Sequence, residues 1–201
     1  MSLRIWVRKS ASVTGMTPEI ALLDANVLYS APLRDVLLQL SFIGLYQVRW
    51  SAEIADEWKR NLLAARPELT MQIGRTQAVM HRAIPDALVT GYASLIPDLV
   101  LPDPDDRHVL AAAIRAKAGV IVTFNLRDFP AAVLALYGIE AQHPDAFLKS
   151  FTDLEPLQVL TGVRECFGRL TRPSMSVATY LNNLRVIGLA ETATFLDGKL
   201  P

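Results

Sequence analysis

Short apolar segments that end in polar residues alternate with amphipathic helical segments through the first 150 residues of this chain. The strand-like segments are residues 20–23, 47–50, 120–123 and 139–142, with a brief run at 99–101 that is also expected to be extended. The helical segments are residues 32–46, 51–66, 68–83, 86–95, 103–117, 131–137 and 144–150. Since parallel strands need crossover helices, this pattern predicts an α/β fold with three layers, α/β/α, around a mainly parallel sheet.

The pattern changes after residue 151, where helical stripes continue without strands. The stripes consist of Leu154, Leu157, Leu160, Val163, Phe167 and Leu170, then Val177, Tyr180, Leu181, Leu184 and Ile187, with a third helix over residues 189–195. We therefore divide the chain into an N-terminal extension (1–17), an α/β domain (18–150) and a small helical C-terminal extension (151–201). We expect the extension to pack on the domain, because an amphipathic helix needs a partner surface.

Composition excludes several classes of protein. A hydrophobic fraction of 51% is enough for a sizeable core, and no apolar run approaches the roughly 20 residues that span a bilayer. A single cysteine, Cys166, excludes an intramolecular disulfide framework and predicts a cytoplasmic protein. Residues 1–15 lack the apolar region of a signal peptide, and the chain reads as beginning naturally at Met16. The net charge of +0 means that any nucleic-acid binding must come from a local patch.

Acidic and amide side chains lie at or after the ends of the predicted strands. They are Asp24, Glu57, Asp106, Asn125 and Asp128. Glu57 falls in the second turn of the helix that begins at Ser51, and its spacing from Ile54, which should face the sheet, predicts that it points partly inward. Because ligands of parallel α/β sheets bind beyond the carboxyl ends of the strands, we expect these side chains to share one crevice. Neighbouring carboxylates repel, and Mg²⁺ or Mn²⁺ is the counter-charge that oxygen ligands prefer. The scattered histidines show no zinc spacing.

Each of these residues also has a purely structural interpretation. Asp24 is a favoured helix cap, and Asp103-Pro104 with Asp106 is a typical helix start. Asp128 can cap a helix beginning near Pro130, and a lone glutamate such as Glu57 is usually a surface residue. It is the convergence of several such positions on one edge of the sheet that favours a site.

Four segments together resemble the PIN-domain ribonucleases of the VapC toxin type. The segments are LLDANVL, SAEIADEW, DPDDRHVLAAAI and GVIVTFNLRDFP, in the family's order and within residues 18–150. By this resemblance Asp24, Glu57 and Asp106 occupy the family's three acidic positions, and Asn125 or Asp128 serves as the fourth. Asn26 and Thr123 match the polar residues that support the site through hydrogen bonds.

The resemblance implies a metal-dependent endoribonuclease that is the toxin of a toxin–antitoxin pair. One or two Mg²⁺ or Mn²⁺ ions, held by Asp24, Glu57, Asp106 and Asp128, would promote in-line attack of water on RNA, leaving a 5′-phosphate and a 3′-hydroxyl. A cognate antitoxin and a homodimer are expected. Plausible antitoxin surfaces are the second helical stripe and the grooves beside helices 33–46 and 52–66. A basic rim for RNA is expected from Arg34, Arg107, His108 and Arg127, whereas Lys59 and Arg60 are weaker candidates.

Three other readings compete with the nuclease. A haloacid-dehalogenase-like phosphatase requires a second aspartate at position 26, where this chain has Asn26. A response-regulator receiver requires a lysine after the strand that carries Thr123, and none follows it there. The third reading is a catalytically degenerate PIN-like module that binds RNA or protein, which Asn125 at the fourth position keeps open.

Overall fold

The computed structural model of the protein describes residues 19–170 and 175–201. Five strands form one sheet in which all four pairings are parallel, in the order β3-β2-β1-β4-β5. The strands are β1 (Ile20–Leu23), β2 (Gln47–Ser51), β3 (Leu88–Val89), β4 (Val120–Val122) and β5 (Glu140–Gln142). The predicted α/β class is confirmed. The expectations for residues 1–17, including a natural beginning at Met16, lie outside the described residues.

Ten helices accompany the sheet in the described parts of the chain. They are α1 (Ala25–Tyr29), α2 (Ala31–Phe42), α3 (Ala52–Ala65), α4 (Thr70–Ala83), α5 (Arg107–Ala116), α6 (Ala131–Leu134), α7 (Pro144–Leu154), α8 (Pro156–Gly168), α9 (Val177–Val186) and α10 (Ala190–Leu196). Shorter 3₁₀ turns include Pro85–Ala87, Ala93–Asp98, Pro104–Asp106 and Leu126–Asp128. Within this part of the chain no helix is both long and apolar enough to cross a membrane.

The central strand places the first acidic residue in the middle of the sheet edge. Leu23 of β1 pairs in register with Val122 of β4, so Asp24 and Thr123 leave the sheet at the same level. Helices begin directly at this edge because the strand ends supply their caps. Asp24 accepts a hydrogen bond from the backbone N–H of Ala25, and the Ser51 hydroxyl accepts one from Ile54. The carboxyl edge is therefore lined by helix starts.

One local prediction is wrong, and another is only partly met. Residues 86–95 were expected to be helical, but the structure has a 3₁₀ turn at Pro85–Ala87, strand β3 and a second 3₁₀ segment. Gly91, with φ of +73°, interrupts any continuous helix, and Leu88–Val89 instead extends the sheet by pairing with β2. Residues 99–101 form no strand, although the Leu99 backbone is extended and its side chain is buried.

The C-terminal helices pack on the α/β layers. Helix α7 runs through the expected boundary at residues 150 and 151, and α8 lies against α2, where Gly162 leaves room for Leu40. Tyr180, Leu181 and Leu184 of α9 are buried, in accord with the second predicted stripe. The first stripe is only partly buried, since Leu154 and Leu157 are 77% and 78% exposed. The turn of the chain between α7 and α8 directs these two side chains outward.

Candidate active site

A crevice of about 840 Å³ lies at the carboxyl edge of the sheet. Its walls come from the ends of the central strands and from the starts of the helices that follow them. The lining residues are Asp24, Asn26, Ala52, Glu53, Asp56, Glu57, Arg60, Tyr92, Asp103, Asp105, Asp106, His108 and Asn125. Most of the predicted acidic residues therefore meet in one place, as expected from the ends of parallel strands.

Asp24 is the most deeply buried acid in the crevice, with 4% of its surface exposed. One carboxylate oxygen accepts the Ala25 N–H at 2.6 Å, and the other accepts the Thr123 hydroxyl at 2.7 Å and the Asn26 side-chain amide at 2.6 Å. Burial raises the pKa of Asp24, although the hydrogen bonds from Thr123 and Ala25 oppose this rise. The hydrogen bonds thus fix the position of the Asp24 carboxylate, while its burial disfavours the charged form.

The two predicted supporting residues, Asn26 and Thr123, form a network around Asp24. The Asn26 amide also donates to the Thr123 hydroxyl oxygen at 3.0 Å, and its carbonyl oxygen accepts the Phe124 N–H at 3.2 Å. The Thr123 oxygen in turn accepts the Asn125 N–H at 2.9 Å. These bonds connect the end of β1 to the segment that follows β4.

Glu57 enters the crevice from α3, where Ile54 on the same face is fully buried. Its carboxylate lies 3.5 Å from Nε2 of His108, and the carboxylate of Glu53 lies 3.8 Å from Nδ1 of the same ring. Burial disfavours the charged imidazole, but the hydrogen bond with Glu57 and the charges of both glutamates raise the pKa of His108. His108 is buried between these acids, which corrects its predicted place on an RNA-binding rim.

A second acidic group adjoins these residues at the start of α5. Carboxylate oxygens of Asp103, Asp106 and Asp128 lie within 4.8 Å of one another. Burial raises the pKa of Asp106 to about 7, and the charges of Asp24, Asp103, Asp128 and Glu57 contribute to the rise. Asp103 was interpreted from the sequence as a helix cap only. It does accept the Asp105 N–H at 2.8 Å, and it also belongs to this group.

Asn125 and Asp128 contact each other instead of competing for one position. The Asn125 side-chain amide donates a hydrogen bond to the Asp128 carboxylate. Asp128 does not cap the next helix, since α6 begins after Pro130 without a side-chain cap. The structure therefore places the Asp128 carboxylate beside Asp106 and places Asn125 in the crevice wall.

The cationic side chains are arranged differently from the predicted rim. Arg34 is buried, donates through Nη1 to the Leu28 carbonyl at 2.7 Å and lies 4.9 Å from the Trp58 ring centroid, so it is a core residue. Arg127 is exposed, and Arg107 uses its Nε to donate to the Pro104 carbonyl. Arg60 is the only lysine or arginine among the described residues that line the crevice, and it makes no ion pair there.

The donor set suits a hard divalent cation. Carboxylate and amide oxygens predominate, and burial together with the neighbouring carboxylates raises the pKa of Asp106. Sequence reasoning missed Asp103, Glu53 and Tyr92 as lining residues, and it gave Arg60 only as a weaker candidate for the basic rim. The position of Glu53, four residues before Glu57 on α3, could have indicated it. Tyr92 follows a loop whose path no local pattern predicts.

Comparisons with known proteins agree with this geometry. The family described as "PIN domain" matches residues 21–127, and the family described as "VapC50 C-terminal domain" matches residues 144–198. A similar curated protein is "Putative ribonuclease VapC50" of Mycobacterium tuberculosis (strain ATCC 25618 / H37Rv), 42% identical over 86 residues. The alignment covers 41% of this chain and 51% of that protein, so the chain spans about half the length of this relative. No solved structure matches. Its residues 144–198 are similar to the VapC50 C-terminal domain, and the chain belongs to the PIN-domain family.

Proposed function

We propose that this protein is a divalent-metal-dependent endoribonuclease and the toxin of a toxin–antitoxin pair. The observation that carries the proposal is the gathering of Asp24, Glu57 and Asp106 in one crevice of a PIN domain, with Asp128 beside Asp106. Similarity to a protein named as a ribonuclease supports the same conclusion.

Asp24, Glu57, Asp106 and Asp128 would hold one or two Mg²⁺ or Mn²⁺ ions. The fit rests on the hard oxygen donors and on the gathering of negative charge, since carboxylate oxygens of Asp103, Asp106 and Asp128 lie within 4.8 Å of one another. When bound, such an ion would offset that charge and promote attack of water on a phosphodiester. Asn125, through its bond to Asp128, acts as a supporting residue and not as the fourth ligand.

The protein's own groups orient the site. Thr123 and Asn26 fix the position of Asp24, because each donates a hydrogen bond to its carboxylate, and the bond from Thr123 opposes the rise that burial causes in the pKa of Asp24. His108 holds Glu57 from the side away from solvent. Rigid placement of these charges is the protein's main contribution to phosphoryl chemistry.

RNA contacts would come from the few cations near the crevice. Arg60 lines the crevice wall, and Arg107 and Arg127 flank Asp106 and Asp128 in the sequence. A phosphate approaching the acidic crevice needs at least one cation beside it, and Arg60 is positioned for that contact.

The remaining parts of the proposal concern organisation and partners. The α/β domain of residues 18–150 would carry the chemistry, the helices of 151–201 would complete it, and residues 1–17 would be an N-terminal extension. A cognate antitoxin would restrain the enzyme in the cytoplasm, and the active form would be a homodimer. The name of the similar protein and the matched C-terminal domain support membership of such a system.

The test is cleavage of an end-labelled, structured RNA pool by the purified protein with Mg²⁺, with Mn²⁺ and with EDTA. Asp106→Asn is the informative variant, and Asp98→Asn is its control, because Asp98 is exposed and is not among the residues that line the crevice. We expect metal-dependent cleavage that leaves 5′-phosphate ends and is lost only in Asp106→Asn. Equal cleavage by both variants would contradict the proposal.

A second candidate is a PIN-like module that binds RNA or protein without cleaving it. The amide of Asn125, which lines the crevice near the fourth acidic position, favours this alternative. RNA binding without cleavage under any metal condition would support it.

A further inference from the structure

Helices α7 to α10, which we call the C-terminal helices, reach the candidate site through an aromatic contact. Phe124, between Thr123 and Asn125, packs edge-on against His143 with ring centroids 5.1 Å apart and planes at 80°. The third member of the contact is Gly188, which follows α9. We call Phe124, His143 and Gly188 the aromatic contact.

Gly188 has a conformation and a position that suit this role. Its φ is +90°, a region that side chains disfavour. A Cβ atom at this position would lie 3.5 Å from Cε1 of Phe124 and 3.7 Å from Cε1 of His143. The backbone at the end of α9 therefore lies directly against both rings.

His143 is anchored to the rest of the C-terminal helices. It caps α7, where its Nδ1 accepts the Asp145 N–H at 3.2 Å. The Asp145 carboxylate accepts the N–H groups of Glu191 and Thr192 at 2.8 and 2.9 Å, and so caps α10 from another part of the chain. His143 is thus linked, through Asp145, to the start of α7 and to the start of α10.

The other side of the aromatic contact leads to Asp24. The Phe124 N–H donates to the side-chain carbonyl of Asn26, and the Asn26 amide donates to Asp24 and Thr123. A shift of Phe124 would therefore move the N–H donor that holds the Asn26 side-chain carbonyl and so orients the Asn26 amide. It would also move Thr123 and Asn125, its two neighbours in the chain.

We propose that Phe124 is a positioning residue, through which the C-terminal helices hold Asn26 and Asp24 in the arrangement that binds metal. This inference rests on the metal site of the proposed function and assigns the C-terminal helices a part in it. Simple packing of those helices on the domain predicts something different. Loss of the ring would then lower stability without changing the hydrogen bonds around Asp24.

The test compares Phe124→Ala with Val163→Ala. Val163 is fully buried in α8, which packs on α2, so its truncation weakens the C-terminal packing without touching the crevice. Phe124→Leu retains apolar volume and is the conservative variant. The first readout is the ¹⁵N NMR signal and exchange rate of the Asn26 side-chain amide in metal-free protein. The second is the Kd for Mn²⁺ from electron paramagnetic resonance.

We expect Phe124→Ala to shift the Asn26 amide signal, speed its exchange and weaken Mn²⁺ binding roughly tenfold, as about 1.4 kcal/mol would. Val163→Ala should leave both readouts within twofold of the unmodified protein, and Phe124→Leu should restore them. An unchanged Asn26 signal in Phe124→Ala would overturn the inference. If the unmodified protein binds no Mn²⁺, the proposed function fails, while the Asn26 signal still decides whether Phe124 positions the network.

Discussion

Thr123→Val is the substitution that tests the hydrogen-bond network most sharply. The Thr123 side chain is fully buried, and valine keeps nearly its shape, so the change leaves no cavity. It removes a hydroxyl that donates to Asp24 and accepts from Asn26 and from the Asn125 backbone. Every effect of the variant can therefore be assigned to lost hydrogen bonds.

The expected magnitude follows from those three bonds. A hydrogen bond to a charged group contributes about 1.5–3 kcal/mol, and a donor left without an acceptor costs about 1–3 kcal/mol. Asn26 keeps its bond to Asp24, and Asn125 is exposed enough for water to replace the lost acceptor. We therefore expect Thr123→Val to lower the free energy of unfolding by about 2–3 kcal/mol.

Thr123→Ser is the matched control, because it keeps the hydroxyl and removes only a buried methyl group. That group contributes about 1 kcal/mol. Urea unfolding at neutral pH in EDTA measures both variants, and an unchanged m-value confirms that the same transition is compared. The hydroxyl also lowers the pKa of Asp24, so Thr123→Val should weaken Mn²⁺ binding as well. If the valine variant is as stable as the serine variant, the network has no energetic role.

Three further predictions concern charge, RNA and the C-terminal helices. The pKa of Asp106 is raised to about 7 in the folded protein. Protonation of Asp106 therefore adds to the free energy of unfolding in acid, and this contribution is lost as pH rises towards 7. In EDTA, Asp106→Asn should therefore be more stable than the unmodified protein at neutral pH and show a flatter dependence on pH; an identical pH profile in urea unfolding would contradict this. Arg60→Gln should reduce the slope of log Kd against log salt for RNA by about 0.7, measured with Ca²⁺ to suppress cleavage, while Lys59→Gln should change it less. Asp145→Ala should lower the free energy of unfolding, measured in urea, by about 2–4 kcal/mol, because it leaves the start of α10 without its cap. A loss of less than about 0.5 kcal/mol, the lower limit for one ordinary hydrogen bond, would contradict that capping role.

The sheet could be predicted because its signals are local. β1 and β4 are short apolar runs, and β2 alternates polar residues with the buried Val48 and Trp50. The polar ends of these strands, Asp24, Ser51 and Thr123, reach the same edge through the register of the strands. The spacing of Ile54 and Glu57 correctly indicated which face of α3 meets the crevice. These features depend on residues close together in the chain.

The features that could not be predicted depend on distant contacts. β3 is only two residues long and exists because it pairs with β2, so residues 86–95 resemble a helix when considered alone. Arg34 looks like a surface cation, yet Leu28 and Trp58 provide a carbonyl and an aromatic face that hold it inside. His108 likewise turns inward because Glu57 and Glu53 lie on the neighbouring helix.

The central claim is that the crevice is a metal centre, and Mn²⁺ binding tests it most directly. Electron paramagnetic resonance titration at neutral pH should give saturable binding to the unmodified protein and to Asp98→Asn, a change outside the crevice. Asp106→Asn should weaken binding at least tenfold, because it removes one carboxylate of the group formed with Asp103 and Asp128. Equal binding by all three proteins, or none by any of them, would contradict the account.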